Sequence, residues 1–204
     1  MHRLINFDFF ESEEERESVV NSLERSLVKD DYVGILATLN RIFSGEKTEQ
    51  YRGINSGKES EREAAYKSIM TTYLRVEKFQ TDVDIPSRIG QSDIVIKLPK
   101  KTFVFELKVA KSGTPYNINK KLKDAVDQMV GKDYLGAYKN AIPISLSIDG
   151  TRRCIALAAV GKNVYKLVLQ KHDTVPPTFE LLSEDLEIFL ANISAEIARK
   201  KRKK

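Results

Sequence analysis

Gln91-Ser92-Asp93-Ile94-Val95-Ile96 and Phe103-Val104-Phe105-Glu106-Leu107-Lys108-Val109 are short apolar runs, each interrupted by charge, on either side of a turn at Pro99-Lys100-Lys101. Val, Ile and Phe bounded by turn residues read as strands. Side chains alternate faces along a strand. Glu106 and Lys108 therefore share one face, and Phe103, Phe105, Leu107 and Val109 the other. In an antiparallel neighbour, Asp93 comes beside Glu106. Two carboxylates and an ammonium on one sheet face suit a divalent cation and an activated water. The spacing Asp-x(12)-Glu-x-Lys also arises by chance, with these charges on a solvated face. A long helical segment follows, however, and charges on a covered sheet are costly unless paired or metal-bound.

Upstream, Ala64, Ala65, Ile69, Met70, Tyr73 and Leu74 recur with a 3.6-residue period and predict a helix from near Glu59. Strands are expected at 78–85, 92–98 and 102–110. Residues 11–28, with Val19, Val20, Leu23 and Leu27, predict a first helix. Asp30-Asp31 can cap a second, whose apolar face is Val33, Ile35, Leu36, Leu39, Ile42 and Phe43. Gly45 to Gly57 reads as a loop.

Downstream, Ser112-Gly113-Thr114-Pro115 is a loop signal. Residues 118–139 form the longest helical pattern, with Leu122, Ala125, Val126, Met129, Val130 and Leu135 inward. Strands are expected at 142–148, 153–160 and 164–170, with turns at Asp149-Gly150 and Gly161-Lys162-Asn163. Pro176-Pro177 breaks the chain before a last helix from about Ser183. This order predicts an α/β (α+β) fold, a mixed central sheet flanked by helices. It divides the chain into an N-terminal helical segment (1–57), a domain (58–198) and a basic tail (199–204).

The chain has 204 residues, room for one good-sized domain, and is 41% hydrophobic and 31% charged, which suits burial of a core. No run approaches a membrane-spanning helix. The N-terminus shows no signal-peptide pattern, since a short apolar patch gives way to Glu11, Glu13 to Glu15 and Glu17. The lone Cys154 excludes an internal disulfide and fits a reducing, cytoplasmic compartment. It sits amid apolar neighbours and reads as an inert buried thiol. With only His2 and His172, histidine metal sites and histidine general bases are not expected.

The formal net charge of +5 is unevenly placed. Residues 1–64 carry 14 acidic and 9 basic side chains, residues 65–198 carry 15 and 19, and the last six are all basic. The tail accounts for the whole excess. A mildly basic centre with a detachable basic tail follows, rather than a uniformly basic nucleic-acid binder; the tail reads as a disordered solubilising end, a nucleic-acid arm or a nuclear-import-like signal.

At this point the sequence resembles the PD-(D/E)XK nuclease superfamily. The matching segments are Glu63-Ala64-Ala65-Tyr66, Gly90-Gln91-Ser92-Asp93-Ile94-Val95-Ile96 and Phe105-Glu106-Leu107-Lys108-Val109. Ala125-Val126-Asp127-Gln128-Met129 with Lys132 and Tyr134, and then Ile142 to Ile148, complete them. More narrowly it is similar to the branch often joined to an AAA-ATPase-like domain. Ser92 stands where the name-giving proline would be, and Gln91 where that branch carries arginine. No Gly-x(4)-Gly-Lys-Ser/Thr loop occurs, so any energy coupling would come from a separate ATPase chain.

The resemblance implies a restriction-endonuclease-like core and a metal-dependent endonuclease acting on DNA phosphodiesters. It implies that Asp93, Glu106 and the Leu107 carbonyl ligate Mg²⁺ or Mn²⁺, with Glu63 completing or supporting the metal site. Lys108 would orient or deprotonate the attacking water. Gln128, and Lys132 one turn on, would contact Glu106, the water or the scissile phosphate. Glu63 has a blander alternative as a solvated partner of Arg62 or Lys67. Tyr66 and Met70 are expected in the core, and Tyr134 and Tyr138 are core or base-stacking residues. Lys120, Lys121 and Lys123 form a solvated face or, bordering the site, hold a phosphate backbone. Competing readings are a non-cutting nucleic-acid or protein-binding module on the same fold, and a nuclease toxin or host-directed effector. For an effector, the tail would direct nuclear import. Many nucleases of this type act as homodimers, and no segment marks an interface.

Overall fold

The computed structural model describes residues 12–45, 58–76, 79, 81–86, 91–132, 135–138, 140–168 and 178–201. Helices α1 (Glu13–Lys29), α2 (Tyr32–Gly45) and α3 (Glu59–Val76) come first. Strands β1 (Thr81–Pro86), β2 (Gln91–Lys97) and β3 (Thr102–Ala110) follow, and then helix α4 (Pro115–Gly131). A short 3₁₀ turn at Leu135–Ala137 leads to β4 (Ala141–Asp149), β5 (Cys154–Val160), β6 (Asn163–Val168), β7 (Thr178–Ser183) and helix α5 (Leu186–Lys201).

The strands form one seven-stranded sheet in sequence order. Every neighbouring pair is antiparallel except β3 and β4, which run parallel from Thr102↔Ala141 to Ala110↔Asp149. A parallel pair needs a crossover, and α4 provides it. Strand alternation then sorts the core. Ile94, Ile96, Phe103, Phe105, Leu107 and Val109 point to one face, where Val19, Leu23 and Leu27 of α1, Leu36, Leu39 and Phe43 of α2, and Tyr66, Met70 and Leu74 of α3 cover them. Val95 and Val104 point to the other face, against Met129 of α4. Further along that second face, Ile118, Leu122 and Val126 meet Leu157, Ala159 and Val164, with Phe189 and Leu190 of α5 alongside. Covered on both sides, β3 is buried along its length apart from Lys108.

The helix ends follow from local chemistry. Asp31 caps α2, its Oδ1 accepting from the Gly34 N–H at 2.9 Å, as Asp30-Asp31 led one to expect. Helix α4 starts three residues earlier than the apolar period suggests. Thr114 caps it, accepting from the Asn117 N–H at 3.4 Å, and Pro115 occupies a first-turn position where a missing N–H costs nothing. The helix also stops at Gly131, well short of 139, and Val130, expected inward, is exposed. Strand β7 has no counterpart in the sequence reading, where residues beyond Pro177 led straight into the last helix. The β1–β2 and β2–β3 hairpins lie close to where alternation placed them. The expected loop at 46–57 lies outside the described residues.

Candidate active site

Strands β2 and β3 are in register from Lys97↔Thr102 to Ile94↔Phe105. Beyond that point β2 stays with β1, through Ile85↔Ser92 and Pro86↔Gln91, while β3 stays with β4. The sheet forks where Asp93 and Glu106 stand. A fork leaves strand N–H groups that must find other partners. Carboxylates supply them. Asp93 Oδ2 accepts from the Leu107 N–H at 2.8 Å, and Glu63 Oε1, reaching from α3, accepts from the Val109 N–H at 3.4 Å.

Charges fill the opening. Glu106 is completely buried, and its Oε1 accepts from Lys108 Nζ at 2.9 Å. The same ammonium donates to Glu63 Oε2 at 3.4 Å. Glu106 Oε2 is buried and has no hydrogen-bond partner. Burial, reinforced by the negative charge of Asp93, pushes the Glu106 carboxyl up to about 7 against the pull of Lys108 and Lys132. Burial also raises Glu63, and Lys108 only partly offsets it. Burial draws the Lys108 ammonium down, but Glu106, Glu63 and Asp93 outweigh that and hold it above the ordinary lysine value.

This arrangement fits a divalent ion. An oxygen with no donor, on a carboxyl whose ionisation both burial and a like charge oppose, is a group that a cation would satisfy. Carboxylate oxygens suit hard ions such as Mg²⁺ or Mn²⁺. Among the described residues no three His, Cys, Asp or Glu side chains form a metal-binding group. Glu63, facing Lys108 and the Val109 N–H, stands one ammonium away from Glu106. The available donors are therefore Asp93, Glu106 and main-chain oxygen such as that of Leu107, whose N–H already anchors Asp93.

Residues 61–156 match the family model described as the PD-(D/E)XK nuclease superfamily. The domain they form belongs to that superfamily. No curated protein and no solved structure matches the chain. The PD-(D/E)XK match spans Glu63, Asp93, Glu106, Lys108 and Gln128, and it implies a nuclease hydrolase of a kind that typically uses divalent metal ions.

Around this PD-(D/E)XK site the other candidate residues fall differently. Gln128 is half-buried near the end of α4, and Lys132 caps that helix, its N–H donating to the Gln128 carbonyl at 3.1 Å. The Lys132 charge reaches Glu106. Lys120 and Lys121 lie at the opposite end of α4. Lys120 pairs with Asp124 at 2.9 Å, and Lys121 pairs with Glu59 of α3, tying the two helices together. Lys123 is similarly held by Asp127 at 2.5 Å. Tyr66 and Met70 are in the core as expected, and Tyr138 packs beside Val95 and Val104. Tyr134, His2 and His172 lie outside the described residues.

One residue was missed. Lys67 of α3 places its Nζ 3.6 Å from Asp93 Oδ1. Its position one turn beyond Glu63 was the available signal, because residues four apart share a helix face.

Proposed function

We propose that this domain is a metal-dependent endonuclease that hydrolyses DNA phosphodiester bonds. The observation that carries the reading is the fork itself, which brings Asp93 and Glu106 together and leaves a buried Glu106 oxygen without a donor. Asp93, Glu106 and the Leu107 carbonyl would hold Mg²⁺ or Mn²⁺, which when bound supplies a Lewis acid that acidifies water and offsets phosphate charge.

The chain's own groups do the rest. Lys108, held between Glu106 and Glu63, is cationic at neutral pH. It acts as a hydrogen-bond donor to the attacking water and the developing anion, rather than as a base. Glu63 fixes the ammonium in place and secures β3 through Val109. Lys132 is the α4 cation whose field reaches the carboxylates, which suits it to a phosphate of the bound strand. Gln128, one turn before it, orients groups at the same end of α4.

The test is a cleavage panel of plasmid DNA, single-stranded DNA and RNA, each in Mg²⁺, Mn²⁺ and EDTA. Cutting of DNA that chelator abolishes, and that Glu106→Ala or Lys108→Ala lowers at least about 100-fold, is the expected result. Cutting of RNA alone would move the substrate. Nucleic-acid binding by every variant with cutting by none would establish a non-cutting module.

A further inference from the structure

The geometry points to Lys67 as the site's second cation, so that the domain works with a single divalent ion. This rests on the nuclease reading above. In two-ion phosphodiesterase sites the ions lie about 3.5–4 Å apart and share a clamp around the reacting phosphate. A shared carboxylate then gives one oxygen to each ion. Here Asp93 can offer an ion only Oδ2, which keeps a lone pair beside its one hydrogen bond. Oδ2 accepts from the Leu107 N–H, and Oδ1 lies 3.6 Å from Lys67 Nζ. An ion placed on Oδ1 would have to displace that ammonium.

Charge leads to the same conclusion. Asp93 pairs with Lys67, and Glu63 and Glu106 share Lys108, which sets three carboxylates against two ammonium groups once Lys132 is left to the bound strand's phosphate. The cluster is short by one positive charge. One divalent ion overcorrects by one, which the scissile phosphate neutralises. Two ions would leave a surplus of three positive charges against the same phosphate. Lys67 is also well supported, since it rises from the middle of α3 one turn after Glu63, on a helix whose Tyr66 and Met70 are fixed in the core. A lysine ammonium is a compact point charge with rotatable donors, suited to this substitution.

The experiment is a Mn²⁺ titration without substrate, reading free ion by electron paramagnetic resonance, alongside cleavage kinetics. Wild type and Lys67→Arg should bind one Mn²⁺ per chain, and Lys67→Glu should bind two. Lys67→Met should keep the one Mn²⁺ yet lose kcat about 100-fold, with Lys67→Arg restoring most of it. Two ions on the wild type would overturn the inference while leaving the nuclease reading intact. So would a Lys67→Glu variant, folded by circular dichroism, that stays at one ion, or a Lys67→Met variant that cuts at the wild-type rate. If Lys67→Glu fails to fold, the wild-type stoichiometry decides. A wild type that binds no Mn²⁺ and cuts nothing would remove the nuclease reading and this inference with it.

Discussion

Glu106 is the side chain on which the site's energetics turn, because it is a carboxyl placed where neither charge state is comfortable. Ionised, it leaves a buried oxygen unsatisfied beside Asp93; protonated, it weakens its bond with Lys108. Its native value of about 7 lies above the ordinary 4.5, so the folded protein holds this proton more tightly than the unfolded chain. Stability from this group is therefore fully present below about pH 4.5 and is lost as pH rises through about 7, a total near 3 kcal/mol. In EDTA, thermal melts should fall in Tm between pH 5 and pH 8, and Glu106→Gln should flatten that slope. Added Mn²⁺, which competes with the proton, should raise Tm more at pH 8 than at pH 6. A metal-free Tm that rises across this range would contradict the burial of an uncompensated acid. Cys154 tests the opposite face of the sheet. Burial, followed by the charge of Asp149, pushes its thiol up to about 11. A thiol-specific reagent should label it only once the protein unfolds, and rapid labelling of the native state would show the site to be open. The strand alternation alone was enough to place Glu106 and Lys108 on one face. The pairing of Lys108 with Glu63 was not legible, because it joins residues 45 apart in sequence and depends on how α3 crosses β3.

At the scale of elements, the site exists because two helices hold a forked sheet in place. Helix α2 is docked by a polar contact as well as by its apolar face. Asn40, buried near the end of α2, accepts the Ile155 N–H of β5 at 2.8 Å. The register shift between Ser147 and Ile148 on the neighbouring strand lies next to this contact. Asn40→Ala should leave a buried donor without a partner and cost about 1–3 kcal/mol in a denaturation experiment; a change under about 0.5 kcal/mol would mean water reaches that N–H. Thr114→Ala should cost about 1 kcal/mol through loss of the α4 cap, with amide exchange accelerating first at Asn117 and Ile118. The start of α4 and strand β7 show what the sequence could and could not disclose. A cap signal was present before α4, but Thr114-Pro115 read as loop because an apolar period only becomes visible from Ile118. Strand β7 went unread because it is a six-residue edge with Phe179 alone buried, so Leu181 and Leu182, exposed on the edge, mimic the start of the apolar helix that follows. Burial by α2 and pairing with β6 make it a strand, and neither partner is local.

For the molecule as a whole, charge is arranged lengthwise along the chain rather than spread over a surface. Residues 12–45, which form α1 and α2 and carry seven acidic and four basic side chains, pack on the same face of the sheet as α3, while the excess positive charge is concentrated at the C-terminal end of the sequence. The end of α5 lies against the start of α4, where Lys200 sits 3.9 Å over the Tyr116 ring and 3.2 Å from Glu196. That contact places Lys200 at the end of α4 where Lys120 and Lys121 are already paired with Asp124 and Glu59. With those lysines paired, we assign phosphate contacts at this end to the run of six basic residues 199–204 read in the sequence. Each phosphate contact releases condensed counterions, which makes log K fall with log salt by about 0.9 per contact on duplex DNA. Removing residues 199–204 should therefore make that slope shallower by about 2 or more, while leaving cleavage of saturating substrate at low salt unchanged, because Glu63, Asp93, Glu106 and Lys108 at the fork are all retained. Fluorescence anisotropy of a labelled duplex across 50–300 mM salt, in EDTA so that nothing is cut, measures it directly. Identical slopes for the full and shortened chains would assign nucleic-acid affinity to the cleft alone, and would make Lys132 and Lys67 the next cations to replace.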